Sequence, residues 1–162
     1  MFDKSIEQWL SEYGESHRNP RNKIIHWICV PVILWCVLAL LWPLNLAAFG
    51  FDPRLNGATL MVAISLLFYV RLSWTLTLGM ALISGICLWL IVAYQNAALG
   101  LPLWAFALAL FVVAWIGQFV GHKIEGKKPS FFKDVQFLLI GPAWLLSFVY
   151  QKAGIPLHLR RA

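Results

Sequence analysis

Four stretches without a single Asp, Glu, Lys or Arg dominate the chain: residues 24–51, 55–70, 72–121 and 135–151. They are 28, 16, 50 and 17 residues long, and a helix needs about 20 apolar residues to cross the hydrocarbon core of a bilayer. The longest run exceeds one crossing, and Gly100-Leu101-Pro102 divides it in two. The pattern predicts membrane helices over about 22–42, 57–70, 74–95 and 103–121. Arg71-Leu72-Ser73 is then a tight turn, and Trp42, Phe49 and Phe51 suit an aromatic belt at the opposite surface. Gly141-Pro142 interrupts the last run. It reads either as one kinked span over 131–150, which its length favours, or as two half-helices that fold back, which charge placement favours.

Ahead of these runs the pattern changes. Ile6, Trp9, Leu10 and Tyr13 form an i, i+3, i+4, i+7 stripe, with Asp3, Glu7, Glu12 and Glu15 elsewhere on the wheel. This predicts an amphipathic helix that lies on the membrane or caps the helix ends. Asn19-Pro20 ends it and starts the first long helix. The expected fold is an all-α, polytopic membrane helix bundle of four or five spans with an N-terminal amphipathic helix. It forms one integral membrane domain over residues 1–162: an interfacial or lid helix (1–16), membrane helices (22–151) and a basic tail (152–162).

Composition agrees, with 60% hydrophobic and 12% charged residues. The net charge of +6 does not imply nucleic acid as a partner, because the cations cluster at helix boundaries and leave no solvated basic face. Lys4, Arg18, Arg21, Lys23, Arg71, Lys123, Lys127, Lys128 and Lys133 fall on the side where the first membrane helix starts, against Arg54, Lys152, Arg160 and Arg161. This bias places the amino terminus and the turn at Arg71 in the cytoplasm. The first apolar run begins only after an acidic segment and lacks a small-residue cleavage pattern, so it is expected to remain as a helix. Cys29, Cys36 and Cys87 lie within apolar runs and receive no role.

Two polar islands flank the long runs. In the first, Asn22 and His26 are spaced i, i+4 at the mouth of a helix, and His17 lies across the Asn19-Pro20 turn, able to fold back beside them. In the second, His122 and Glu125 are spaced i, i+3 at the end of the fourth membrane helix, a spacing that aims a His and a carboxylate into one interior volume. Neutral imidazole with carboxylate suits iron, zinc or manganese, and two His with one carboxylate and open positions suit Fe(II) acting on oxygen. Gln118, Asn19 and Asn22 are candidates to support ligand imidazoles, although the two Asn are equally suited to cap the first membrane helix. Arg18, Arg21, Lys127 and Lys128 ring the site and are candidates to meet a substrate carboxylate, or a positive surface girdle. Taken singly, His122 suits a helix C-terminus and Glu125 suits surface pairing with Lys. The joint pattern favours a metal site, since three of the four His fall on one expected surface. His158, in a basic tail without a nearby carboxylate, is left out.

Together, His17-x-Asn19-Pro20-x-Asn22-x-x-x-His26 with Val30-Pro31, and Gln118-Phe119-Val120-Gly121-His122-x-x-Glu125-x-x-x-Pro129, resemble the family of small membrane proteins related to the yeast 2-hydroxy fatty acid dioxygenase. The resemblance covers nearly the whole chain. It implies an Fe(II)-dependent enzyme that uses O2 to shorten a 2-hydroxy fatty acid by one carbon, with His17, His26 and His122 as metal ligands. Glu125 takes the motif's acidic position as ligand, base or supporting group. The substrate's hydroxyl and carboxylate would chelate the iron while its tail lies among the helices, with membrane lipid around it. Without a retention signal, the chain is expected in a bacterial inner membrane with the site on the cytoplasmic side, and a homo-oligomer stays open. Two alternatives come from other classes: a metal-free membrane scaffold or lipid-binding protein, and a metal-dependent lipid hydrolase with Glu125 as general base.

Overall fold

The computed structural model describes residues 4–52, 55–129 and 136–157. Among these, six α-helices follow one another and no strand forms. Lys133, Arg54, Arg160, Arg161 and His158, and residues 131–135 of the last expected span, lie outside the described residues.

The amphipathic segment becomes α1 (Ile6–Gly14), opened by a capping box between Ser5 and Gln8. Its stripe faces protein. Ile6, Trp9 and Tyr13 are buried, and the Trp9 and Phe137 rings meet edge to face at 5.1 Å. Helix α2 (Pro20–Leu41) starts where Asn19 Oδ1 accepts from the Arg21 N–H at 2.9 Å, with Pro20 in its first turn. Helix α3 (Gly57–Leu72) gives way to α4 (Trp74–Asn96) at a single extended residue, Ser73. The Ser73 hydroxyl accepts from Leu76 N–H at 3.3 Å and caps the next helix. The expected turn is thus shorter, because Arg71 and Leu72 complete the last turn of α3.

Helix α5 (Leu103–Glu125) runs past Gly121 and stops at Gly126, whose φ of 71° only glycine adopts without strain. His122 and Glu125 therefore sit inside its last turn. Helix α6 (Phe137–Ala153) continues through Pro142, so the described part of this segment is one helix and not two folded-back halves. Proline has no N–H for the Leu138 carbonyl, and nearby the Tyr69 hydroxyl donates to the Leu139 carbonyl at 2.7 Å. Packing against neighbours is what makes a proline tolerable there.

Helices α2, α4 and α5, of 22, 23 and 23 residues, are long and apolar enough to cross a membrane; at 1.5 Å per residue they reach about 33–35 Å. Helices α3 and α6 are shorter apolar helices of 16 and 17 residues. Large side chains point outward, including Leu78, Leu82 and Trp89 on α4 and Val112, Val113 and Ile116 on α5. A contiguous apolar exterior of this kind is what lipid solvates.

The most extensive helix contact is between α2 and α5. Two glycines make it close: a Cβ at Gly117 would lie 2.8 Å from Cys29 Sγ, and one at Gly121 would overlap Asn22 Oδ1. Gly117-x-x-x-Gly121 is a small-residue motif of the sort that lets helices pack backbone to backbone in lipid, where burial of apolar surface supplies no net drive. The helices run antiparallel, bringing His26 near the start of α2 beside His122 near the end of α5.

Candidate metal centre

Each histidine of the cluster arrives by a different route. His26 projects from the second turn of α2 and His122 from the last turn of α5, at the level set by the Gly121 contact. His17 lies between α1 and α2, where its N–H bonds the Gly14 carbonyl at 3.1 Å and its ring stacks on Tyr13 at 4.1 Å. The ring centroids are 4.2 Å apart for His17 and His26, 5.0 Å for His17 and His122, and 4.9 Å for His26 and His122. All three are nearly inaccessible, at 1%, 1% and 5% exposure, and one nitrogen from each lies within 4.8 Å of the others. The Trp144 ring closes the His17 side at 5.2 Å.

Hydrogen bonding decides which nitrogens face inward. His17 Nδ1 lies 2.6 Å from the Tyr13 carbonyl and His26 Nδ1 lies 3.0 Å from the Asn22 carbonyl. A carbonyl only accepts, so each Nδ1 carries the hydrogen and each neutral ring is left with a bare Nε2. Those two Nε2 atoms are 2.9 Å apart. Two lone pairs facing each other at that distance repel unless a proton or a cation lies between them. The Lys127 N–H donates to the His122 carbonyl at 3.3 Å, and the His122 ring nitrogen Nδ1 is buried without a hydrogen-bond partner. Burial, and secondarily the neighbouring His26, push the His17 imidazolium down to about 3, so a shared proton is disfavoured near neutrality. Three neutral imidazoles with unused lone pairs fit a divalent transition metal, and carbonyl-anchored Nδ1–H groups are the usual support for metal-ligating His.

Glu125 occupies the rim of this cluster. Its Oε1 accepts from the Arg18 N–H at 2.9 Å, and its Oε2 accepts from the Asn19 N–H at 2.8 Å and from Asn22 Nδ2 at 3.1 Å. The carboxylate thereby clasps the segment that carries His17 onto the end of α5. The metal-ready group consists of the three His and does not include Glu125 among the described residues. Asn22, fully buried, also donates to the Ser16 carbonyl at 3.1 Å, so one amide ties α2 to the His17 segment and to α5. Asn19 caps α2. Gln118 is buried and reaches across to the His26 ring. Arg18, Arg21, Lys127 and Lys128 are all exposed around this end of the bundle, and Lys127 Nζ donates to the Glu15 carbonyl at 3.0 Å.

Sequence reasoning placed Tyr13 in the α1 stripe but missed its part in the site. The signal was the i, i+4 spacing of Tyr13 and His17, which stacks the rings. It also missed Trp144, which no local pattern links to the histidines, and an apolar cavity of about 200 Å³ reached from His122 and Gln118.

The chain is 29% identical over 155 residues to 2-hydroxy-palmitic acid dioxygenase MPO1 of Saccharomyces cerevisiae, an alignment covering 93% of this chain and 83% of the yeast protein. No solved structure matches it. The family model described as 2-hydroxy-palmitic acid dioxygenase Mpo1-like matches residues 3–153, a span that includes all three clustered histidines, and the chain belongs to that Mpo1-like family.

Proposed function

We propose that the protein is an Fe(II)-dependent dioxygenase that shortens 2-hydroxy fatty acids by one carbon, with His17, His26 and His122 holding the metal. The observation that carries this is the buried trio of neutral imidazoles whose unused lone pairs converge beside an apolar cavity. Imidazole alone does not separate iron from zinc, but zinc has no redox chemistry, and the yeast relative's description is that of a dioxygenase. When bound, iron supplies the one-electron steps that let O2 react with a closed-shell substrate. The residues of the chain do the rest. Tyr13, Trp144 and α1 keep water from the cluster, Asn22 and Gln118 orient His26, and Glu125 holds the His17 segment in place. Arg18, Arg21, Lys127 and Lys128 draw an anionic carboxylate to this end of the bundle, which the excess of Lys and Arg there supports assigning to the cytoplasmic face of a bacterial inner membrane.

The hydrolase alternative needs Glu125 as a base on a bound water, whereas three N–H donors already engage that carboxylate. The scaffold alternative leaves three imidazoles buried against one another for no purpose. The deciding experiment is anaerobic purification, reconstitution with Fe(II), and oxygen-electrode measurement with 2-hydroxypalmitic acid. One iron per chain, substrate-dependent O2 uptake and an acid one carbon shorter are expected. Iron-loaded protein that takes up no O2 would overturn the proposal.

A further inference from the structure

The cavity beside His122 has a polar end and an apolar end. Tyr13, Gln118 and His122 lie at one end, and among the described residues no Asp, Glu, Lys or Arg lines it. Along α2 its wall is Val30, Ile33, Leu34 and Val37, and along α5 it is Trp115 and Phe111. Because the helices are antiparallel and in register at His26 and His122, these residues pair as rungs: Val30 with Gln118, Ile33 with Trp115, Val37 with Phe111. From His26 to Val37 is eleven residues, which at 1.5 Å per residue is about 16 Å. Helix α6 forms the facing wall, where Gly141 presents bare backbone: a Cβ there would lie 3.0 Å from the Tyr13 hydroxyl and 3.7 Å from Val30. Met61 of α3 lies on the lining as well.

We infer that this cavity is the acyl-chain site, with the chain laid along the α2–α5 seam from the histidine cluster to Val37, Met61 and Phe111, and that these three residues set the chain length accepted. The inference rests on the function proposed above for the identity of the head group. The cavity, at about 200 Å³, exceeds the roughly 150 Å³ of an engineered apolar cavity that takes up benzene, and its lining on α5 extends from His122 to Phe111. An extended chain advances about 1.2 Å per single bond, by the same geometry as an extended backbone, so 16 Å accommodates about 13 bonds. A polar head at the histidines puts the tail of a long-chain acid at the Val37–Phe111 rung. A chain lying between α5 and α6 also has a route from the bilayer, because those two helices make little direct contact with each other.

Two photo-crosslinking probes test this on the metal-free protein in lipid nanodiscs: 2-hydroxypalmitic acid bearing a diazirine close to the head group, and the same acid with a diazirine at about carbon 13. The far probe is expected to label Val37, Met61 or Phe111 and the near probe to label around Val30 and Gln118, both blocked by excess unlabelled acid. Labelling of outward residues such as Leu82 or Ile116 that excess acid does not block would overturn the inference. In turnover, Val37→Trp is expected to lower the rate with 2-hydroxypalmitic acid at least about tenfold while leaving 2-hydroxyoctanoic acid within about twofold. Should Val37→Trp not fold, Phe111→Ala serves in its place, with the preference shifted towards longer chains; an unchanged chain-length profile in the folded variant would overturn the inference. If wild-type protein oxidises no 2-hydroxy acid while the probes label as expected, the proposed reaction fails and the acyl site stands.

Discussion

Replacing Glu125 separates a positioning role from a chemical one. In the wild type its carboxylate accepts three hydrogen bonds of 2.8–3.1 Å from the Arg18 N–H, the Asn19 N–H and Asn22 Nδ2. A hydrogen bond to a charged group contributes about 1.5–3 kcal/mol when its donor is otherwise left dry. Arg18 is exposed and Asn19 half-buried, so water replaces part of the loss in Glu125→Ala, and Asn22 keeps its bond to the Ser16 carbonyl. A net cost of about 2–4 kcal/mol follows, and it falls on the segment that presents His17. If about 2 kcal/mol of that cost must be regained each time the metal orders the segment, affinity drops about 30-fold, within the 10–100-fold typical of groups that orient metal ligands. Glu125→Gln keeps the length of the side chain and one acceptor oxygen and should recover most of the affinity. The assay is titration of metal-free protein with Co(II), followed by its visible absorption, alongside turnover at saturating Fe(II). Expected are weakened binding in the Ala variant, rescue in the Gln variant, and near-normal turnover once iron is saturating. A Gln variant that binds metal normally but loses turnover about a thousandfold would refute the positioning argument and make Glu125 a base.

Other consequences are as direct. His122→Ala removes one of the three proposed ligands and should abolish stoichiometric metal binding while helicity by circular dichroism in detergent stays unchanged. Gly121→Ala puts a methyl into Asn22 Oδ1, so either Asn22 shifts off its bonds to Ser16 and Glu125 or α2 and α5 separate; overpacking of this kind costs about 1–3 kcal/mol, read as a lower unfolding midpoint together with weaker metal binding. Acid should destabilise the metal-free protein. His17 has a pKa of 6.5 when unfolded and about 3 when buried, so between those values the unfolded chain binds the extra proton. That stability is complete above about pH 6.5 and declines by up to about 1.4 kcal/mol per pH unit below it; denaturant titrations of wild type and His17→Gln should differ in slope over that window.

Much of this was legible in the chain because its signals are local. Apolar runs count out helices, Gly100-Leu101-Pro102 divides two of them, and a stripe of period 3.6 marks α1. The His17 to His26 island and the His122 island were equally visible, since ionisable groups next to long apolar runs are scarce. Helix ends were less so. Polarity ends the fourth membrane helix near Gly121 and makes Arg71-Leu72-Ser73 a turn, yet a helix at a membrane surface continues into water until something such as Gly126 stops it.

What the sequence by itself determined is the set of helices and the identity of the three imidazoles. Only the tertiary structure decided that they meet, because that depends on two glycines on α5 allowing α2 to approach until Asn22 touches Gly121. The role of Glu125 was undecided for the same reason. Spacing places it one turn from His122, but its partners are amides more than a hundred residues away in sequence, and no local pattern encodes such a contact. The cavity likewise belongs to no single element, being the space left between α2, α5 and α6 where side chains from distant segments fail to fill it.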